Sequence, residues 1–357
     1  MPKIKVLVVD DSAVVRSVLT EILGSDPDID VVGTAADPHI ARNKIKELNP
    51  DVLTLDIEMP RMDGITFLRN LMRLRPMPVV MVSTLTEKGA DITFEALEIG
   101  AVDFVSKPRQ DLANQLAEYA EEIIQKVKGA AKARLRTKAD LGGSGDATMA
   151  AKSSGLIRKT PRISASSRAS RQIVAIGAST GGTEAIKEVL IRLPENFPGI
   201  VIAQHIPPGF STSFAQRMDK LSKLSVCEPT ETMQILDGHV YIAPGNRHLK
   251  VRTNKAGYEC YLDDGPNVNR HKPSVEVLFN SVAEQVGKKA LGVILTGMGA
   301  DGAKGLKNMK DNGAYTVAQN EATSVVWGMP GEAVKIGAVD TQLALEKIAQ
   351  HLVDKLR

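Results

Sequence analysis

Ile173-Val-Ala-Ile-Gly177-Ala-Ser179-Thr180-Gly181-Gly182-Thr-Glu-Ala-Ile186 is the stretch on which the reading of the fold turns. A short apolar run leads into a glycine-rich turn, and the turn opens into residues with helical spacing. A buried strand, a tight turn and a helix in that order make a parallel α/β unit. Three chemistries use such a turn. A phosphate-cradling loop requires Lys after its last Gly, and here Thr183 follows Gly182. A dinucleotide loop requires Gly-x-Gly-x-x-Gly, but position 179 is Ser and no acidic signal stands out on a second strand. Gly-x-Ser-x-Gly remains, a sharp elbow that presents Ser179 as a nucleophile. A serine that merely caps the next helix fits the same letters, so a partner base must decide.

Working outward, the same alternation recurs at Ile200–Ala203, Leu291–Leu295 and Ala314–Ala318, while Val240 to Leu262 is richer in turns and reads as a hairpin-bearing insertion. The N-terminal part has β-branched runs at Lys5–Val9, Val31–Ala35, Asp51–Leu55, Val79–Val82 and Val102–Val105, separated by helical stretches such as Val14–Leu23 and Ile65–Leu74. The fold class expected is α/β, with two doubly wound parallel-sheet domains. At about 150 residues per domain, 357 residues accommodate both and a linker. That linker is 126–170, rich in Ser, Gly and Ala, with eleven Lys/Arg against two Asp/Glu; its first part, Lys126 to Lys138, can prolong a preceding helix. The domains are then 1–125 and 171–357.

The net charge of +3 conceals this unevenness, since the chain outside the linker is acidic overall. No aromatic residue is interleaved with the basic ones, so a solvated spacer is expected and no nucleic-acid partner. No apolar run approaches the ~18 residues of a membrane span, and Val6 to Val9 ends at Asp10-Asp11, which argues against a signal peptide. The two cysteines, Cys227 and Cys260, lack zinc-type spacing. A cytoplasmic protein without direct membrane insertion is the expectation.

In an open parallel sheet, ligands bind at the carboxyl ends of the strands. In the first domain those ends carry Asp10-Asp11, Asp56, Ser83-Thr84 and Lys107-Pro108. Three convergent carboxylates repel one another, a cost that a hard cation such as Mg²⁺ offsets. A lysine and a hydroxyl beside them complete a cradle for a phosphoryl group, with a carboxylate as nucleophile. Ordinary loop-capping residues account for one such position, not for five at four strand ends.

In the second domain His205 follows the run Gly199–Gln204, placing it at a strand end like Ser179. Asp301 lies in Gly297-Met298-Gly299-Ala300-Asp301-Gly302, after the run Leu291–Thr296. His239, His248 and His271 surround turn-rich segments, His39 and His351 lie elsewhere, and Asp263 and Asp264 are the alternative acids. Ser179, His205 and Asp301 make a hydrolase triad in the order Ser…His…Asp, which departs from that of the α/β-hydrolases.

With Asp10, Asp11, Asp56, Met59-Pro60, Asp63-Gly64, Ser83 and Lys107-Pro108, the first domain resembles the receiver domain of bacterial response regulators. The resemblance implies that Asp56 is phosphorylated, that Asp10 and Asp11 help it hold Mg²⁺, and that Ser83 and Lys107 respond to the phosphate. Phe104 stands where that family's switch aromatic stands, and the Lys107-Pro108 bond is cis in that family. Gly177-Ala-Ser-Thr-Gly-Gly-Thr-Glu-Ala, Gln204-His-Ile-Pro-Pro-Gly-Phe210, Thr296-Gly-Met-Gly-Ala-Asp-Gly302 and Ala318-Gln-Asn-Glu321 resemble the protein-glutamate methylesterases of bacterial chemotaxis, the CheB family. That resemblance implies hydrolysis of glutamyl methyl esters on the cytoplasmic domains of methylated chemoreceptors, with deamidation of glutamines in some members. It implies a histidine kinase as phosphodonor, an unphosphorylated receiver that restricts access to the esterase cleft, and an esterase that needs no cofactor of its own. Thr180, beside the nucleophile, either supports the site or caps the helix.

Overall fold

The computed structural model describes residues 2–59, 62–83, 87–107, 116–134 and 168–356. Pro60, Thr84, Pro108 and residues 135–167 of the expected linker fall outside these, as does the isomer of the Lys107-Pro108 bond.

The N-terminal unit runs β1 (Ile4–Val9), α1 (Ala13–Gly24), β2 (Ile29–Ala35), α2 (Pro38–Leu48), β3 (Val52–Asp56), α3 (Gly64–Leu74), β4 (Val79–Ser83), α4 (Glu87–Ile99), β5 (Asp103–Ser106) and α5 (Leu116–Ala131). Its strands pair in parallel in the order β2-β1-β3-β4-β5. Helices cover both faces, so β3 and β4 are buried at every position and read as continuous apolar runs with little alternation. Ser12, Asp37 and Asp63 each accept a first-turn N–H and start α1, α2 and α3. The order reverses at β1, so the crevice lies between the ends of β1 and β3, below Asp10 and Asp56. Helix α5 continues past residue 125 to Ala131, because Val127 and Ala130 are fully buried against the sheet.

The C-terminal unit runs β6 (Ile173–Ala178), α6 (Gly182–Leu190), β7 (Gly199–Gln204), α7 (Phe210–Leu221), β8 (Ser225–Cys227), β9 (Met233–Gln234), β10 (His239–Ile242), β11 (His248–Asn254) and β12 (Gly257–Asp263). It continues with α8 (Val275–Gln285), a 3₁₀ turn, β13 (Ala290–Ile294), α9 (Ala303–Asp311), β14 (Tyr315–Gln319), α10 (Met329–Lys335), β15 (Thr341–Leu343) and α11 (Leu345–Lys355). A seven-stranded sheet has the order β15-β14-β13-β6-β7-β10-β8, and a small sheet the order β11-β12-β9. The turn-rich insertion is thus shorter than expected. Only β11 and β12 form the hairpin, whereas β10, buried at all four positions, joins the main sheet parallel to β7.

The two units share one apolar core. Phe104 and Phe94 of the first meet Phe210 and Phe214 of the second, with ring centroids 4.6 Å apart for Phe104–Phe210 and 5.7 Å for Phe94–Phe214. Around them, Glu98 on α4 accepts from Lys187 and Arg217, each at 2.6 Å. Arg270 pairs with Glu121 on α5, and the Arg134 amide donates to the Val325 carbonyl at 3.1 Å.

Candidate active site

Strand β6 is central, with β7 on one side and β13 on the other. Residues just past the carboxyl ends of these three neighbours therefore face one crevice. Ser179 follows β6, His205 follows β7 and Asp301 lies in the turn after β13. The Ser179 hydroxyl is 3.1 Å from His205 Nδ1, and His205 Nε2 is 2.8 Å from Asp301 Oδ2. An ionised Asp301 only accepts, so the arrangement suits the tautomer in which Nε2–H donates to Asp301 and the Nδ1 lone pair faces the hydroxyl, the pattern of a Ser-His-Asp triad.

Backbone bonds fix the elbow. The Ser179 amide donates to the Thr296 carbonyl at 3.0 Å, and the Gly182 amide to the Ser179 carbonyl at 2.7 Å. Gly181 is left-handed at φ +75°, and a Cβ there would stand 2.7 Å from Val325. Gly297 is needed for closeness, since its Cβ would lie 2.8 Å from that of Ser179. Thr180 does not cap α6. Gly181 occupies the cap position, and the Thr180 hydroxyl instead donates to Asp103 Oδ2 at 2.6 Å, across the boundary between the units.

Asp301 is 3% exposed and its carboxylate is densely supported. Oδ2 also accepts from the Val275 amide at 2.7 Å, while Oδ1 accepts from Asn269 Nδ2 at 2.7 Å and Ser274 Oγ at 2.8 Å. Asp301 therefore caps α8 from outside that helix, where the positive end of the helix dipole also favours its charge. Burial pushes its carboxyl upward, but the His205 hydrogen bond and charge, with those of Asn269 and Ser274, hold it well below the usual range. Asp263 and Asp264, the alternative acids, pair with Lys250 and Arg247.

Reading the sequence missed the residues that hold the triad. Asn269 and Arg270, at φ +51° and +69°, form a tight turn closed by reciprocal bonds between Val268 and His271. The turn delivers Asn269 to Asp301 and lays the His271 ring over His205, with centroids 3.7 Å apart. Burial, then repulsion from His205, lowers the His271 pKa to about 3. The Asn-Arg pair was the available signal, because Asn tolerates the left-handed region; nothing local tied it to the triad.

A second cluster lies in the first unit. Asp10 and Asp56 are buried and Asp11 exposed, and one oxygen of each falls within 4.8 Å of the others. Lys107 Nζ is 2.8 Å from Asp56 Oδ2 and 3.3 Å from Asp10 Oδ2. Burial pushes the Asp56 carboxyl up to about 6; Lys107 works against that shift and Asp10 adds to it. Two buried carboxylates with one ammonium leave negative charge uncompensated, and an all-oxygen donor set fits a hard divalent cation. The Ser83 hydroxyl is tied to α4, where Thr93 Oγ1 lies 2.9 Å away.

A family model described as CheB methylesterase matches residues 174–352, and one described as response regulator receiver domain matches residues 6–117. A protein-glutamate methylesterase/protein-glutamine glutaminase of Hydrogenovibrio crunogenus is 56% identical over 371 residues, covering 99% of each chain. A protein of the same name from Saccharophagus degradans, numbered 2, is 56% identical over 353 residues, again 99% of each. The crystal structure of the Thermotoga maritima CheB methylesterase catalytic domain is 39% identical with a TM-score of 0.51, covering 52% of this chain and 98% of that one.

Proposed function

This chain belongs to the CheB methylesterase family, and from that premise we propose that Ser179, His205 and Asp301 carry its hydrolysis of glutamyl methyl esters, under control of a phosphoryl group on Asp56. The observation that carries the reading is the unbroken hydrogen-bond path from the Ser179 hydroxyl through both His205 nitrogens to Asp301.

The Ser179 oxygen attacks the ester carbonyl while its proton passes to His205 Nδ1. Asp301 stabilises the imidazolium so formed through Nε2–H. The amides of Ser179 and Gly297 donate to the Thr296 and Val326 carbonyls, and we assign the oxyanion to the next amides along the two turns, those of Thr180 and Met298. His205 returns the proton to the departing methoxide, giving methanol and a glutamyl ester of Ser179. Water, deprotonated at Nδ1, then releases the glutamate carboxylate and restores the serine. With a glutamine side chain the same steps expel ammonia, in keeping with the glutaminase half of the relatives' names.

The receiver domain brings with it a phosphorylation site of the kind that usually binds Mg²⁺. Asp10, Asp11 and Asp56 would hold the ion, whose charge offsets that of the carboxylates and of the incoming phosphoryl group. Asp56 supplies the attacking oxygen, and Lys107 and Ser83 receive the phosphoryl oxygens once it is attached. We assign the receiver to residues up to 131, the esterase to 171–357, and the span between them to a linker. The family implies a kinase as phosphodonor and a chemoreceptor as substrate, and a cytoplasmic protein is the reading that fits both. Among the described residues no helix is long and apolar enough to cross a membrane.

The test is methanol release from a methylated receptor fragment, with and without a small phosphodonor and Mg²⁺. Wild type should release methanol faster when phosphorylated, Ser179→Ala should release none, and Asp56→Ala should lose the response to phosphodonor. Methanol release by Ser179→Ala near the wild-type rate would move the nucleophile elsewhere.

A further inference from the structure

Thr180 follows the nucleophile directly in sequence and is 3% exposed, and its hydroxyl is neither a helix cap nor bonded to any group of its own domain among the described residues. Its partner is a carboxylate from the other domain. Asp103 Oδ2 accepts from it at 2.6 Å, a short bond of the charge-assisted kind. The rest of Asp103 is fixed from the receiver side. Oδ1 accepts from the Phe104 amide at 2.7 Å and lies 3.3 Å from Lys126 Nζ. Lys126 is itself enclosed, pairing with Glu122 at 3.0 Å and lying 5.1 Å from the Phe104 ring centroid. The receiver thus carries a held side-chain carboxylate to the residue next to the nucleophile.

A buried hydroxyl satisfied only by a partner that can leave must find another acceptor when that partner leaves, or lose the bond. The substrate is attacked at its acyl carbon while its acyl oxygen gathers negative charge and accepts hydrogen bonds, and the product of the reaction is a side-chain carboxylate. Asp103 has the same functional group as that product on a stem one methylene shorter.

We propose that the Thr180 hydroxyl is a substrate-binding donor of the esterase site, and that the receiver occupies it with the Asp103 carboxylate as a built-in product mimic. The proposal rests on Ser179 being the nucleophile. Inhibition then has a chemical part beside the steric one: the closed form competes for a hydrogen bond that the glutamyl acyl oxygen and the glutamate product also use. Asp103 is one residue from Phe104, which packs on Phe210, so any shift of that aromatic would carry the carboxylate with it.

The experiment compares Thr180→Val, Thr180→Ser and Asp103→Ala in the full-length protein, measuring methanol release with and without phosphodonor and Mg²⁺, and inhibition by a short glutamyl peptide bearing a free γ-carboxylate. Valine matches threonine in shape, and in Asp103→Ala the Lys126 ammonium keeps Glu122. Thr180→Val should lower phosphorylated kcat/KM by about 100-fold, as for loss of one donor aimed at the reacting oxygen, and weaken inhibition by the peptide. Thr180→Ser should retain most of both. Asp103→Ala should raise the unphosphorylated rate severalfold and leave the phosphorylated rate near wild type. If Thr180→Val keeps the phosphorylated kcat/KM and the peptide inhibition of wild type, the hydroxyl is only a latch for the receiver and the proposal fails. It also fails if Asp103→Ala leaves the unphosphorylated rate unchanged. Ser179→Ala runs alongside, and methanol release there would remove the nucleophile assignment itself, an outcome separable from the other two.

Discussion

His271 lies stacked on His205, its ring 3.7 Å from the other centroid and inclined by 18°. With His205 as the proposed base, a second imidazole against it serves the reaction only if it stays neutral, since a charge there would oppose formation of the imidazolium. Burial and the neighbouring His205 ensure this by lowering its pKa to about 3. His271→Phe preserves a flat ring and should keep kcat/KM within a fewfold of wild type. His271→Ala removes the packing and should lower it by about 10-fold, or ~1.4 kcal/mol. Steady-state methanol release on the two variants checks this.

The same residue makes stability depend on pH. With a folded pKa near 3 against about 6.5 unfolded, the unfolded chain binds more protons between those values, so stability rises with pH across that window. His271 contributes fully above pH ~6.5, and its contribution is lost as pH falls toward ~3. Thermal melts of wild type and His271→Phe between pH 7 and pH 4 should show a shallower fall for the variant.

Asp301 has two roles that one substitution separates. Asp301→Asn keeps the size but loses the charge that orients His205, and should reduce kcat by about 10³ to 10⁴-fold. It also removes a carboxylate that accepts from the Val275 amide at the start of α8, so the melting temperature should fall as well. Ser274→Ala, which deletes one of the hydrogen bonds to Oδ1 and leaves that from Asn269, should show a much smaller loss in both measurements.

Asp56 is kept at a cost to the fold. Its folded pKa of about 6 exceeds the unfolded value near 3.8, so the folded state binds more protons in that interval and stability falls as pH rises through it. At pH 7 the full penalty applies. Asp56→Ala should therefore raise the receiver's melting temperature at pH 7, with the gain shrinking toward pH 4. Mg²⁺ should stabilise wild type more than the variant.

Glu98 joins the two domains through Lys187 and Arg217. Glu98→Arg places like charges together there and should raise the unphosphorylated esterase rate severalfold without raising the phosphorylated rate. Because these charges are partly exposed, added salt should raise the wild-type unphosphorylated rate in the same direction.

Much of this protein was legible from local pattern alone. β-branched runs alternating with helical spacing specify parallel α/β units, and parallel strands bring their carboxyl ends to one rim. Ser179, His205 and Asp301, or Asp10, Asp56 and Lys107, could therefore be gathered from positions far apart in the chain before any distance was known. Strand β10 escaped because a four-residue apolar run beside a hairpin has no periodicity of its own, and burial on both faces decided its place. Tertiary structure alone decided which histidine nitrogen faces the serine, that Asn269, Ser274 and His271 brace the triad, and that Thr180 reaches Asp103 instead of capping α6. Those are contacts between segments up to 96 residues apart, as for His205 and Asp301, or between domains. Propensity and spacing act over a few residues, whereas side-chain hydrogen bonds across a crevice depend on strand order and domain packing, which emerge only when the whole chain buries its apolar surface together.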